Sequence, residues 1–437
     1  MGALRMPGDK SISHRAAILA SLADGQTRID NFSTSQDCAA TLTCLEHLGV
    51  PIRHVGTTVE IEGVGPGSLT APTAPLDCGN SGSTMRMLAG VLASQNFDSE
   101  LTGDASLLAR PMRRIIEPLT MMGAHIEATD GHAPLRIVGH KSLEPISYVM
   151  PVASAQVGTC ILLAGLGARG RTEVIQARGS TRDHTERMLG WFGIPLTCAD
   201  VHRGNATLES ISFTGPSRLK AGGGVAPGDI SSAAFFLAAA ALLPGSKLKI
   251  EDVGLNPTRT AIINTIRNLG IDIFTYRHDP GIGREDFDEP FGTIKIAGNA
   301  GLGHPAAVRT NIINGKLVQQ LIDELPIIAV LGTQVSGGLT IRDAAELRVK
   351  ETDRIAATVE NLRAMGVEVE EHDDGLTIKE CRVLRGAKIN SHGDHRIAMA
   401  FSIAALIADS ESEIVGEECV GVSFPEFYEL LDSVVER

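Results

Sequence analysis

Residues 10–15 read Lys-Ser-Ile-Ser-His-Arg and open an apolar run, AAILASL. A helix start already offers free N–H groups and the positive end of the helix dipole. Lys10 and Arg15 at such a place oppose that dipole, which is tolerable where an anion sits between them. Ser11 adds a hydroxyl donor. The stretch ASAQ, with Ser154 and Gln156, and GDHR, with Asp394, His395 and Arg396, also place groups that can bind phosphate or carboxylate ahead of apolar runs. Phosphate or carboxylate binding is the chemistry these groups suit. LARPMRR adds Arg110, and Pro111 fits a first helical turn, which predicts Arg110 near a helix N-cap. In RVKETDR, Lys350 and Arg354 stand four apart with Glu351 beside them, a spacing that predicts one shared helix face. Taken alone, an exposed salt-bridged helix explains that stretch as well. Asp323 and Glu324 precede an apolar run, where a helix cap and a catalytic carboxylate look alike.

The elements that must carry these groups repeat along the chain. PGDKSISHRAAILASL near the N-terminus has a partner in PGDISSAAFFLAAAALL half a chain later. A polar opening followed by an Ala-rich helix recurs at CGNSGS, VASAQV, DELPII and GDHRIA, six times in all. After each come a short strand and an amphipathic helix, and in five repeats Gly49, Gly123, Gly193, Gly270 or Gly366 ends that helix as a C′ cap. Alternating strands follow. The predicted class is α/β: six βαβαββ units, three in each of two domains. The boundaries expected are 9–226 for the N-terminal domain and 227–437 plus 1–8 for the C-terminal one. The sixth repeat lacks its closing strands, and residues 1–6 are expected to supply one.

The bulk composition narrows the classes. The 437 residues carry a net charge of −13, which argues against nucleic acid or anionic membrane as a partner. Seven cysteines, none in a C-x-x-C pair, point to a reducing compartment rather than a disulfide framework or zinc site. No dinucleotide fingerprint, P-loop or HExxH occurs, so no cofactor and no metal is expected. With no long apolar span and no signal-like start, the chain reads as cytoplasmic.

Seven stretches now stand in order over nearly the whole chain: PGDKSISHRAAILASLADG, GNSGSTMR, LTGDASLLARPM, ASAQV, ELRVKETDRI, GDHRIAMA and SFPEF. Together they closely resemble the EPSP synthase family of enolpyruvyl transferases, and the resemblance implies two inside-out α/β domains, each of three βαβαββ units, with a substrate cleft between them. The resemblance implies transfer of enolpyruvyl from phosphoenolpyruvate to the 5-hydroxyl of shikimate 3-phosphate, with release of phosphate, in aromatic amino acid biosynthesis. It implies that Lys10, Ser11, Arg15, Ser154, Ala155 and Gln156 hold shikimate 3-phosphate, together with Arg182, Asp323 and Lys350. It places phosphoenolpyruvate on Lys10, Gly82, Arg110, Gln156, Arg354 and Arg396. Asp323 resembles the proton acceptor for the hydroxyl, Glu351 a second proton-transfer group, and Lys10 a source of the acid for the leaving phosphate. A monomer acting on small molecules is expected.

Three positions depart from the family pattern. Val422 stands where many members have Lys, Glu346 where many have Asn, and the N-terminus is shorter by about one strand. GDKS, RDHTE and NPTR resemble the glyphosate-tolerant class, whereas Gly158 and Gly82 do not; inhibition by glyphosate is expected. Two rivals remain: the sister enzyme that enolpyruvylates UDP-N-acetylglucosamine, and a non-catalytic anion-binding protein of the same fold. The first would carry a reactive Cys in its second repeat, where this chain has DASLLARPMRR. The second would lack acid–base groups, and Asp323, Glu351 and Lys10 are present.

Overall fold

The computed structural model describes residues 2–139, 142–179, 181–204, 206–278, 286–298 and 311–435. The six predicted opening helices form at Lys10–Ser21, Gly82–Leu92, Ala155–Gly165, Ile230–Leu242, Leu325–Thr333 and His395–Ala405. They are buried nearly all round, and every residue of Ile230–Leu242 is buried. Ala, Gly, Leu and Ile dominate them, so their backbones can approach closely. At Gly90 a Cβ would collide with the Cys160 carbonyl of the Ala155–Gly165 helix. The amphipathic helices are wet on one face, and the five glycines that end them all take positive φ, between 83° and 91°.

Five of the sheets share one strand order, first–second–fourth–third, with the first strand parallel to the second and the others antiparallel. The second repeat shows it plainly. Leu76–Asp77 lies beside Ser99–Thr102, which pairs with His132–Val138, which pairs with His125–Thr129. This is the βαβαββ unit, with sheets outside and helices within.

The first strand is not always local. In the first repeat it comes from Leu219–Lys220 and Gly223–Val225, which run parallel to Ala23–Asp30. In the fourth it comes from Gly2–Arg5, parallel to Lys247–Gly254. The N-terminal segment therefore opens the fourth repeat's sheet instead of closing the sixth. The physical reason is the vacant parallel edge of Lys247–Gly254, whose other edge Phe291–Ala297 already occupies. The sixth repeat keeps two parallel strands, Lys388–Asn390 and Glu413–Val415.

Contacts divide the chain into an N-terminal unit, residues 8–226 and 281–289, and a C-terminal unit, residues 1–7, 227–280 and 290–437. This division differs from the expected boundaries at residue 8 and over 281–289. The described part of that short segment explains its place. Phe287 is fully buried, with its ring 4.9 Å from Trp191 and 6.5 Å from Phe192. Glu289 meets His184 Nδ1 at 2.6 Å, with both side chains 1% exposed. Each unit has its own apolar core.

Candidate active site

In the N-terminal unit the three opening helices bring their polar starts together. Asp9 caps the first by accepting from the Ile12 N–H at 2.9 Å, which leaves Lys10 and Ser11 in its first turn. Lys10 Nζ meets Asp37 at 2.7 Å. Arg15 is 3% exposed and spans to the third helix and beyond. Its Nε donates to Thr185 at 2.7 Å, Nη2 to Thr159 at 3.0 Å and Nη1 to the Ser11 carbonyl at 2.9 Å. Arg182 Nη1 donates to Ser11 Oγ at 3.0 Å. Burial, and then the Arg182 charge, lower the Arg15 pKa to about 10. Two guanidiniums on one serine form a pocket of like charge that an anion relieves.

Ser154 caps the third helix, whose first residues are Ala155 and Gln156. Thr159 Oγ1 donates to the Ala155 carbonyl at 2.7 Å, so Ala155, Thr159 and Arg15 form one chain of hydrogen bonds. Gln156 ties this helix to the second: its Nε2 donates to Ser83 at 2.9 Å, and its Oε1 accepts from Arg86 at 2.7 Å. Gly82 opens that second helix beside two guanidiniums. A Cβ there would lie 2.7 Å from Arg86 Nη1 and 3.4 Å from Arg110 Nη1.

Arg110 lies two residues before the N-cap Met112, but Pro111 does not open the helix as expected. Arg110 follows the short Ala105–Leu108 helix, and the next helix begins at Arg113. Pro111 instead bridges to His132 in an extended pairing. Arg110 is held by the Asn80 side chain at 2.6 Å and the Asn80 carbonyl at 3.1 Å.

In the C-terminal unit a second cluster forms on the fifth and sixth repeats. Lys350 and Arg354 do not share a helix. Ala345–Val349 is a 3₁₀ turn, Lys350 is extended, and Asp353 caps a new helix at Arg354–Ala364 by accepting from the Ala356 N–H at 3.0 Å. The cap breaks the predicted face, yet Arg354 and Glu351 still meet, at 2.6 Å. Arg354 is 1% exposed. Its Nε donates to the fully buried Asp394 at 2.8 Å, and its Nη1 stands 3.6 Å from Asp323. Burial alone would lower the Arg354 pKa; the charges of Asp394, Glu351 and Asp323 outweigh it and raise the pKa. Arg396 donates to the Asp323 carbonyl at 2.7 Å and lies 3.8 Å from its carboxylate. Lys350 lies 3.9 Å from Glu346, and burial lowers its pKa against the pull of Asp323 and Glu346. Val422 ends the 3₁₀ turn Glu417–Val422 and is partly buried.

The expected residues thus fall into two sets. Lys10, Ser11, Gly82, Arg15, Arg110 and Arg182, with residues 154–156, belong to one unit. Asp323, Lys350, Glu351, Arg354 and Arg396 belong to the other. The sequence reading assigned nothing to Arg86, and it grouped Asp394 with His395 and Arg396 without foreseeing its pairing with Arg354. Arg86 stands in GNSGSTMR, four residues from Gly82, a helical spacing that signals it in retrospect. Among the described residues no group of three or more His, Cys, Asp or Glu could hold a metal, and no helix is long and apolar enough to cross a membrane.

Residues 1–431 match the family model for EPSP synthase (3-phosphoshikimate 1-carboxyvinyltransferase). A 3-phosphoshikimate 1-carboxyvinyltransferase of Koribacter versatilis is 51% identical over 438 residues, spanning 100% of this chain and 97% of the relative. The solved EPSP synthase of Acinetobacter baumannii is 40% identical, with a TM-score of 0.83 over 99% of this chain and 95% of its own. The enolpyruvyl transferase NikO of Streptomyces tendae, 16% identical, shares the fold with a TM-score of 0.73 over 99% of this chain and 94% of its own.

Proposed function

The chain belongs to the EPSP synthase family, and we infer that it transfers the enolpyruvyl group of phosphoenolpyruvate to the 5-hydroxyl of shikimate 3-phosphate, with release of inorganic phosphate. One observation carries the assignment of the anion site: Arg15, buried and lowered in pKa beside Arg182, with both guanidiniums converging on Ser11. A phosphate dianion there meets two planar donor forks and the start of a helix.

Lys10, Ser11, Arg15 and Arg182, with residues 154–156, hold shikimate 3-phosphate, joined by Asp323 and Lys350. Gly82, Arg110, Gln156, Arg354 and Arg396 hold phosphoenolpyruvate, and Lys10 reaches both substrates. Arg86, hydrogen-bonded to Gln156, joins this second group. The reaction needs a base on the hydroxyl, an acid for the methylene carbon and an acid for the departing phosphate. Asp323 is the base. It sits 15% exposed, with its carboxylate 3.6 Å from Arg354 and 3.8 Å from Arg396. Glu351, on Arg354, exchanges the proton at carbon, and Lys10 serves the phosphate. The family comparisons favour this reading over the UDP-N-acetylglucosamine enzyme. A cytoplasmic monomer without cofactor completes it.

The test is phosphate release from phosphoenolpyruvate with and without shikimate 3-phosphate. Release that depends on both substrates is expected; none with both present overturns the assignment. Asp323→Asn should keep the fold and shikimate 3-phosphate binding while losing turnover by about 10² or more.

A further inference from the structure

Directly after Asp323, a second acid points the other way. Glu324 is 1% exposed and belongs to a buried trio. Ser231 Oγ donates to Glu324 Oε1, and Arg259 Nη2 donates both to Ser231 Oγ and, at 3.2 Å, to Glu324 Oε1. The Arg259 side chain is 3% exposed. Burying two opposite charges costs several kcal/mol per ion, and their attraction repays this only in part. An apolar trio of similar volume would stabilise the unit as well, so stability does not account for these residues. Their location does.

Each member comes from the start of a different element. Ser231 lies in the first turn of Ile230–Leu242, where Asp229 accepts from its N–H at 2.8 Å. Arg259 lies just before Ala261–Asn268, with its own N–H on the Asn256 carbonyl at 2.8 Å. Glu324 begins Leu325–Thr333, its carbonyl accepting from the Ile328 N–H at 3.0 Å. The next residue back is Asp323, whose carbonyl Arg396 holds at 2.7 Å. The trio and Arg396 therefore grip the two ends of one peptide unit. The Asp323 carboxylate is left facing Arg354 at 3.6 Å and Arg396 at 3.8 Å.

We propose that Arg259, Glu324 and Ser231 are positioning residues that set where the Asp323 carboxylate stands. The proposal rests on the reading of Asp323 as the proton acceptor. The charged groups around that carboxylate are Arg354, Arg396 and Lys350, with Glu351 and Asp394 on Arg354, and Asp229 beside Ser231. Glu324 and Arg259 add one charge of each sign.

Three variants test it in the full-length enzyme: Glu324→Gln, Arg259→Met and Arg259→Lys, with Asp323→Asn as reference. Turnover is followed against pH, and thermal midpoints are measured alongside. Glu324→Gln keeps an oxygen for Ser231 and Arg259, so the fold is retained. It should lower kcat about tenfold or more, with kcat falling further than either KM rises, as expected for a displaced catalytic group. Losing the neighbouring negative charge should also move the acid limb of the profile to lower pH. Arg259→Met should move that limb to higher pH, by about half a unit or more. Arg259→Lys restores the charge but not the fork, so the limb returns while part of the kcat loss stays. If Arg259→Met fails to fold, Glu324→Gln and Arg259→Lys still decide. Native kcat and an unmoved limb in variants with lowered thermal midpoints would make the trio a packing feature and overturn the proposal. Near-native turnover in Asp323→Asn overturns instead the proton-acceptor reading beneath it.

Discussion

Gly82 shows how little room stands beside Arg86 and Arg110. An added methyl would lie 2.7 Å from Arg86 Nη1, the end of a flexible side chain that can shift, and 3.4 Å from Arg110 Nη1. Gly82→Ala should therefore displace Arg86 from Gln156 before it disturbs Arg110. On the proposed assignment phosphoenolpyruvate is short and keeps Arg110. Glyphosate is longer and should lose more. Inhibition titrations at matched phosphoenolpyruvate are expected to show a larger rise in the glyphosate inhibition constant than in the KM. Equal rises would mean that Gly82 does not discriminate. His14 offers a second prediction at this scale. It is fully buried against Thr41 at 2.7 Å, and burial, then Lys10, then Arg15, hold its pKa well below 6.5. Below pH 6.5 the unfolded chain binds a proton that the native state refuses. The stability that neutral His14 contributes is thus complete above 6.5 and lost as pH falls toward its folded value. Urea unfolding at pH 7.5 and 5.5 should show a smaller acid-side loss in His14→Gln than in the native protein. Glu186 acts in the opposite direction. Burial raises its pKa to about 7, so the native state holds a proton that the unfolded chain releases above the ordinary value of 4.5, and stability falls as pH rises through that window.

At the scale of elements, glycine in the middle of a helix ordinarily costs about 1 kcal/mol relative to alanine. Gly90 reverses that sign, because a Cβ would strike the Cys160 carbonyl on the neighbouring helix. Gly90→Ala should destabilise by about 1–3 kcal/mol, the range for overpacking a close contact. It should also lower turnover, since the same helix pair sets Arg86 against Gln156. A variant that gains stability in urea would show that the helices can separate freely. Much at this scale was legible. The six openings and the five C′ glycines lie within a few residues of what they affect. Three features were not. Pro111 was misplaced because it fits a strand bridge as well as a helix start. The Lys350–Arg354 face failed because Asp353 caps at a point where the spacing reads straight through. The Arg86–Gln156 and Glu324–Arg259 pairings join residues 70 and 65 apart, a separation that no local pattern encodes.

At the scale of the whole molecule, the chain crosses from one unit to the other at residues 7–8, and residues 2–7 belong with 227 onward. Gly2–Arg5 runs parallel to Lys247–Gly254 in register from Gly2 with Leu248 to Arg5 with Glu251. Leu4 and Met6 are buried in the C-terminal core, and the Pro7 carbonyl accepts from the Asp229 N–H at 2.9 Å. This strand was hard to assign from sequence because its partner lies over 240 residues away and its four residues carry no alternation long enough to read. Its removal makes a sharp prediction. Deleting residues 2–5 strips one edge of the fourth repeat's sheet and removes Leu4 from the core. A loss of about 2–5 kcal/mol follows from a single buried Leu alone. The freed edge of Lys247–Gly254 also becomes a site for self-pairing. The N-terminal unit has its own core and takes its first strand from residues 219–225, so it should be spared. Thermal unfolding of the truncated protein should separate into two transitions, with only the earlier one shifted far from the native midpoint. Proteolysis between them should leave a resistant fragment running from about residue 8 to residue 226. A single transition at the native midpoint would show that the strand adds nothing to the unit it completes.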